Sequence, residues 1–226
     1  MKIADSFFNI FDLTKNCISS SSPNATWTVT EGSCDASIKK LNINIGKADF
    51  YAFNERLTKG MSHITTCKSS KLEDKECDGI AFVEVSGKRR LIFCDLKSTF
   101  DSNKVKNGFN QNLMSFLKIY MLLSICDGFE LNDFDIDFIV ACKCFKDENK
   151  RDNFFHKLHL DLIADKDNFN TKILNSLLTK REKCVQLGDF PNMSSIDIHP
   201  NIRNKKIKLR LLMSENFSDD FVNYSI

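Results

Sequence analysis

Over residues 103–126 the apolar positions return at helical intervals. Val105, Phe109, Leu113, Phe116, Tyr120 and Leu123 follow one another by four, four, three, four and three residues. That spacing predicts an amphipathic helix with one apolar stripe, stopped by Asp127-Gly128. On either side the period shortens to two. Residues 79–85 and 89–96 predict a hairpin closed by the tight turn Ser86-Gly87-Lys88. Phe134, Ile136, Phe138, Val140 and Cys142 alternate through a further strand running to Phe145. Upstream, residues 25–31 and 41–45 alternate as strands, and residues 1–13 predict a short amphipathic helix. Residues 47–58 place Phe50, Phe53 and Leu57 at spacings of three and four, predicting a helix ended by Gly60. A short strand is expected at 61–66 and a solvent loop at 68–77. Downstream, 149–164 and 169–180 predict helices, the first with Phe155, Leu158 and Leu162 on one face. Residues 190–204 read as loop, 205–211 as a strand of alternating basic and apolar residues, and the acidic tail as frayed.

Composition narrows the class. Apolar content of 42% and charged content of 27% fit a folded globular chain rather than a disordered one. No repeat and no domain boundary is visible, so residues 1–226 read as a single domain. Its core spans about 47–145, and a helical and basic-strand extension spans about 149–226. A net charge of +2 gives no global pull on nucleic acid, so any such binding must come from local patches. The nine cysteines include no Cys-x-x-Cys, and Cys142-x-Cys144 is the one close pair. This argues against a zinc ribbon and for thiols used as small core residues in a reducing, cytoplasmic setting. The N-terminus lacks a signal-peptide layout, and no apolar run reaches membrane-spanning length, so no membrane partner is expected. No phosphate-cradling glycine loop and no Gly-x-Ser-x-Gly elbow occurs, which excludes two common hydrolase designs.

The hairpin carries the candidate chemistry. Asp78 opens its first strand, and Asp95 and Lys97 close its second. The start of one antiparallel strand lies beside the end of the next, so Asp78 and Asp95 share a sheet edge. Side chains alternate with period two, so Asp95 and Lys97 share a face. Two carboxylates and an ammonium therefore converge. The bare tripeptide acid-x-lysine is uninformative, since Glu73-x-Lys75 and Glu148-x-Lys150 match it in charged loops. Asp95-Leu96-Lys97 differs because it ends the apolar run Leu91-Ile92-Phe93-Cys94, where a charged pair is costly unless it meets solvent or partners. The plain alternatives are a salt bridge for Asp95 and Lys97 and a turn for Asp78-Gly79.

With helix, short strand, hairpin, helix and strand in sequence, the chain resembles the PD-(D/E)XK nuclease superfamily. Asp78 matches the acid at the start of the second core strand, and Asp95-Leu96-Lys97 the acid-x-lysine at the end of the third. Cys77 stands where the family often has proline. The resemblance implies an α/β fold with a restriction-endonuclease-like core: a central mixed sheet flanked by helices, in the order α-β-β-β-α-β, with N- and C-terminal additions. It implies Mg²⁺ or Mn²⁺ held by Asp78, Asp95 and the Leu96 carbonyl, with Lys97 orienting the attacking water and offsetting charge. Glu55, on the helix expected at 47–58, is a candidate further metal ligand or else a solvated acid. Gln111, in a polar stripe with Lys104, Ser115 and Lys118, is a candidate contact to phosphate or water or else part of a solvated face.

Lys206, Lys208 and Arg210 share one face of their strand. They read either as edge protection or, with Lys104, as phosphate contacts. His156 and His159 read as surface or satisfied core residues. The expected activity is metal-dependent phosphodiester hydrolysis, in DNA in preference to RNA. A microbial restriction or antiviral defence setting is implied, with a partner ATPase or a homo-oligomer supplying target choice. The rivals are a catalytically silent nucleic-acid-binding or scaffold subunit of the same fold, and an unrelated interaction protein.

Overall fold

The central strands are apolar on both faces and are covered on both sides. The computed structural model describes residues 6, 7, 9–11, 17–20, 25–54, 58, 76–165, 168–190, 193 and 198–226. Among these residues the strands are β1 (Cys17–Ser20), β2 (Ala25–Thr30), β3 (Lys40–Gly46), β4 (Asp49–Asn54), β5 (Gly79–Val85), β6 (Lys88–Lys97), β7 (Phe134–Cys142), β8 (Glu182–Gln186), β9 (Lys206–Met213) and β10 (Phe221–Ser225). The helices are α1 (Ser102–Leu123), α2 (Glu148–Ala164), α3 (Phe169–Lys180) and the one-turn α4 (Pro200–Arg203). Ser6, Phe7, Asn9 and Ile10 are also helical. No helix among the described residues is long and apolar enough to cross a membrane.

A seven-stranded mixed sheet runs β1-β4-β5-β6-β7-β9-β8, and a three-stranded sheet runs β10-β3-β2. Within the large sheet, β4, β5 and β6 form an antiparallel meander. The chain then crosses through α1 to β7, which lies parallel to β6. The meander's tight turn is closed by Ser86 (φ 51) and Gly87 (φ 77), the left-handed pair that matches the strands' twist. Asp101 caps α1, its carboxylate accepting from the N–H groups of Asn103 (2.9 Å) and Lys104 (3.1 Å). On the helix side, Ile80, Phe82, Leu91, Phe93, Phe138 and Val140 pack beneath Val105, Phe109, Leu113 and Phe116. On the other side, Ala81, Val83, Ile92, Cys94, Ile139 and Ala141 pack against Trp27, Val29, Leu41 and Ile43 of the small sheet.

Three expectations need correction. Residues 49–54 are the strand β4, not part of a helix. Phe50 and Ala52 face the small sheet while Phe53 faces the helices, so a strand buried on both sides imitates a helical spacing. The order around the hairpin is therefore β4-β5-β6-α1-β7, without the helix read at 47–58. The acidic tail is not frayed: β10 pairs in parallel with β3. Lys206–Met213 is not an edge strand, because β9 lies between β7 and β8. Gly79 opens β5 as read from the sequence, in place of the alternative turn at Asp78-Gly79, and an added Cβ there would meet Trp27 and Val29 at 2.9 Å. The strand expected at 61–66 lies outside the described residues, as do Glu55 and residues 68–75 of the solvent loop read at 68–77, whose last residue, Cys77, is buried.

Candidate active site

The hairpin register pairs Gly79 with Cys94, which sets Asp78 beside the last residues of β6. Asp78 leads the alternation Ile80, Phe82, and Asp95 and Lys97 continue Leu91, Phe93, so all three turn to the side covered by α1. The Asp78 carboxylate (Oδ2) accepts from the Leu96 N–H at 2.6 Å. Lys97 Nζ lies 2.7 Å from Asp95 Oδ2 and also donates to Gln111 Oε1. The Gln111 amide nitrogen donates to the Glu76 carbonyl at 3.4 Å, tying α1 to the segment that leads into Asp78. Gly108 makes this contact between helix and sheet feasible, since a Cβ there would meet Asp95 Oδ2 at 2.7 Å and Val140 at 2.8 Å.

Charge is concentrated and poorly hydrated here. Asp95 is 1% exposed. Burial first, then the neighbouring Asp95 charge, pushes the Asp78 carboxyl up to about 8. Glu31 adds to that rise, while the Leu96 N–H and Lys97 pull against it. A cleft of about 310 Å³ opens at this place, lined by Leu96, Lys97, Ser98, Lys104, Asn107, Gln111 and, from the loop after β2, Glu31, Ser33 and Asp35. The sequence pattern gave no sign of Glu31, Ser33 or Asp35, because only the pairing of the small sheet brings that loop over the end of β6. Asn107 was missed for a plainer reason: it lies one turn before Gln111 on the same flank of α1.

The remaining candidates are dispersed. Lys104 lines the cleft and donates to Thr99 Oγ1 at 3.2 Å. The stripe through Gln111, Ser115 and Lys118 is buried rather than solvated. Ser115 Oγ accepts from the Cys77 N–H at 2.9 Å, and Lys118 pairs with Glu76 at 2.7 Å. Lys206, Lys208 and Arg210 alternate with Ile207 and Leu209 of the helix-side core, so they lie on the sheet face opposite Asp95. Arg210 is engaged there by Asp137 (3.4 Å) and Glu182 (2.6 Å), and it stacks on Tyr224. His156 and His159 are exposed on α2.

Among the described residues, no three His, Cys, Asp or Glu side chains gather into a metal-ligating group. Asp78 and Asp95 form a two-carboxylate edge, with the Leu96 backbone between them and Lys97. The chain matches no protein-family model, no curated protein and no solved structure.

Proposed function

We propose that the chain is a metal-dependent nuclease with a restriction-endonuclease-like core, hydrolysing phosphodiester bonds, with DNA favoured over RNA. One observation carries the reading: Asp78, Asp95 and Lys97 meet at one sheet edge, on one face, and of these Lys97 lines a polar cleft. The meander β4-β5-β6, the crossover α1 and the parallel β7 supply the framework that this reading requires. The donor set fits Mg²⁺, which takes hard oxygen ligands and usually one or two carboxylates while keeping waters and substrate oxygens. Asp78, Asp95 and the Leu96 carbonyl would hold it. The upward shift of Asp78 comes first from burial and then from the charge of Asp95, with Glu31 adding to it, so a cation here would meet more acid than one lysine offsets. A bound cation supplies charge against the phosphate and eases deprotonation of water.

The chain's own groups do the positioning. Asp95 and Gln111 grip Lys97 from two sides, which fixes its ammonium at the cleft. There it orients the attacking water and offsets charge building on the phosphate oxygens. Lys104, on the cleft rim, is placed to meet a neighbouring phosphate. A partner ATPase or a second copy of the chain would choose the target, in a restriction or antiviral role.

The test is cleavage of plasmid, single-stranded DNA and RNA with and without Mg²⁺. Asp78→Ala, Asp95→Ala and Lys97→Ala should each lower the rate by roughly two or more orders of magnitude, with the fold intact. In Mn²⁺ titration calorimetry the two acid variants should lose binding and Lys97→Ala should keep it. Full Mn²⁺ affinity in Asp95→Ala would remove the proposed centre. A folded wild type that binds these substrates and cleaves none would favour the silent-subunit reading.

A further inference from the structure

A second cavity, of about 460 Å³, opens between α1, α2 and α3. Its size falls within the range of pockets that hold small ligands, roughly 300–1,000 Å³. Among the described residues it shares no lining residue with the cleft at Lys97. Lys104, Asn107 and Gln111 line the cleft, whereas Lys106, Phe109 and Asn110 line the cavity, so the two spaces lie on different flanks of α1. The floor is apolar, formed by Phe109, Leu158, Leu177, Phe190 and Leu209.

One amide lines this cavity from within α1. Asn110 is 6% exposed, and its side chain is among those that border the space. An amide that borders a cavity can pair with a group that enters it. The neighbouring Asp101 and Asn168 are occupied as caps of α1 and α3. The Asn110 amide presents an acceptor and a donor side by side, which complements a planar group with an adjacent donor and acceptor. At the rim stand Lys106 and Lys157, with Asp161 beside them.

We propose that this cavity binds a nucleobase, its edge on the Asn110 amide and its faces on the apolar floor. Asparagine reads base edges in this way, and extruded bases sit in pockets of this construction. The attached phosphate would lie at Lys106 and Lys157, and Asp161 would accept from a sugar hydroxyl. With two lysines and the acids Asp101 and Asp161 around it, the site has little net charge. Its affinity therefore rests on the base and depends weakly on salt. The base belongs either to a free nucleotide or to an unpaired nucleotide of a bound strand. The proposal does not depend on the nuclease reading, because none of Asp78, Asp95, Lys97 and Gln111 takes part.

The experiment is calorimetric titration of the full chain in EDTA with the four nucleoside 5′-monophosphates and with a short single-stranded oligonucleotide. Binding of at least one monophosphate identifies a free-nucleotide site, and binding of the oligonucleotide alone identifies a base pocket for a strand. In either case Asn110→Leu, which keeps the volume and removes the amide, should weaken binding by about tenfold or more. If Asn110→Leu does not fold, Leu174→Trp, which fills the cavity from α3, should abolish binding. Failure of every ligand to bind overturns the proposal, as does undiminished affinity in Asn110→Leu or in Leu174→Trp.

Discussion

Asp78 holds its proton far above the ordinary carboxyl value of 3.8, at about 8, because it is buried beside Asp95. The unfolded chain releases this proton near 3.8 and the folded chain near 8. Over that interval the native state binds more protons than the unfolded one, so stability falls as pH rises. In EDTA, thermal unfolding of the wild type should therefore drop from pH 4 towards pH 8 more steeply than that of Asp78→Asn, and parallel curves would remove the assignment. On the proposed reading Mg²⁺ binding would have to displace the same proton, so the ion's affinity should climb over the same range. Gln111 is the second residue whose environment dictates an outcome. Its oxygen faces Lys97 and its nitrogen faces the Glu76 carbonyl. On the proposed reading it would act by fixing the ammonium rather than by reaching the phosphate itself. Gln111→Ala should slow single-turnover cleavage by roughly ten- to a hundredfold, about 1.4–2.7 kcal/mol in barrier, with Mn²⁺ affinity kept. Gln111→Glu should restore part of the rate by supplying an oxygen to Lys97, and a rate equal to wild type in Gln111→Ala would return the residue to a structural role. The acids and the lysine were legible in the sequence because strand alternation is local. Glu31 was not, since its approach to Asp78 depends on the small sheet packing over the start of β5.

At the scale of elements, α1 lies close over the C-terminal ends of β6 and β7, and Gly108 permits this approach. An alanine there would raise helix propensity by about 1 kcal/mol in an isolated helix. Here its Cβ would fall 2.7 Å from Asp95 Oδ2 and 2.8 Å from Val140, and neither buried neighbour has room to yield. Gly108→Ala should thus destabilise by about 1–3 kcal/mol, the scale of overpacking, and displace Asp95 from Lys97. Chemical denaturation and cleavage measured together decide this, and a variant as stable and active as wild type would show that α1 can lift away. Helix α1 was also the element best read in advance, since its stripe from Val105 to Leu123 is long and regular. Its polar flank was misread. Lys118, 1% exposed, looks solvated by spacing alone, but it reaches Glu76 across the start of β5. β4 was misread for a related reason: cover on both faces erases the alternation that marks a strand.

At the scale of the molecule, the small sheet is built from distant parts of the chain, with β10 of the tail lying parallel to β3. This sheet covers the second face of the large one and carries the loop that brings Glu31 and Asp35 to the cleft. Its contact with β5 is close enough that Gly79 has no room for a side chain beneath Trp27 and Val29. The basic residues of β9 belong to this layer too. Arg210 joins Asp137 and Glu182 of the large sheet to Tyr224 of β10, so its charge is spent on holding the two sheets together. The tail is consequently structural. Its Asp220 carbonyl accepts from Lys39 and Lys40, Val222 is buried, and the Ile226 N–H donates to the Asn44 carbonyl at 3.1 Å. Deleting residues 220–226 would bare the β3 edge, uncover the apolar side of the small sheet and leave Arg210 without its aromatic partner. A loss of about 3 kcal/mol corresponds to a fall in Tm of about 10 °C for a chain of this size. Calorimetry of the truncated chain should find that fall, together with a weaker rise of the Asp78 carboxyl as the loop holding Glu31 loosens. An unchanged Tm would mean that β2 and β3 cover the large sheet without β10.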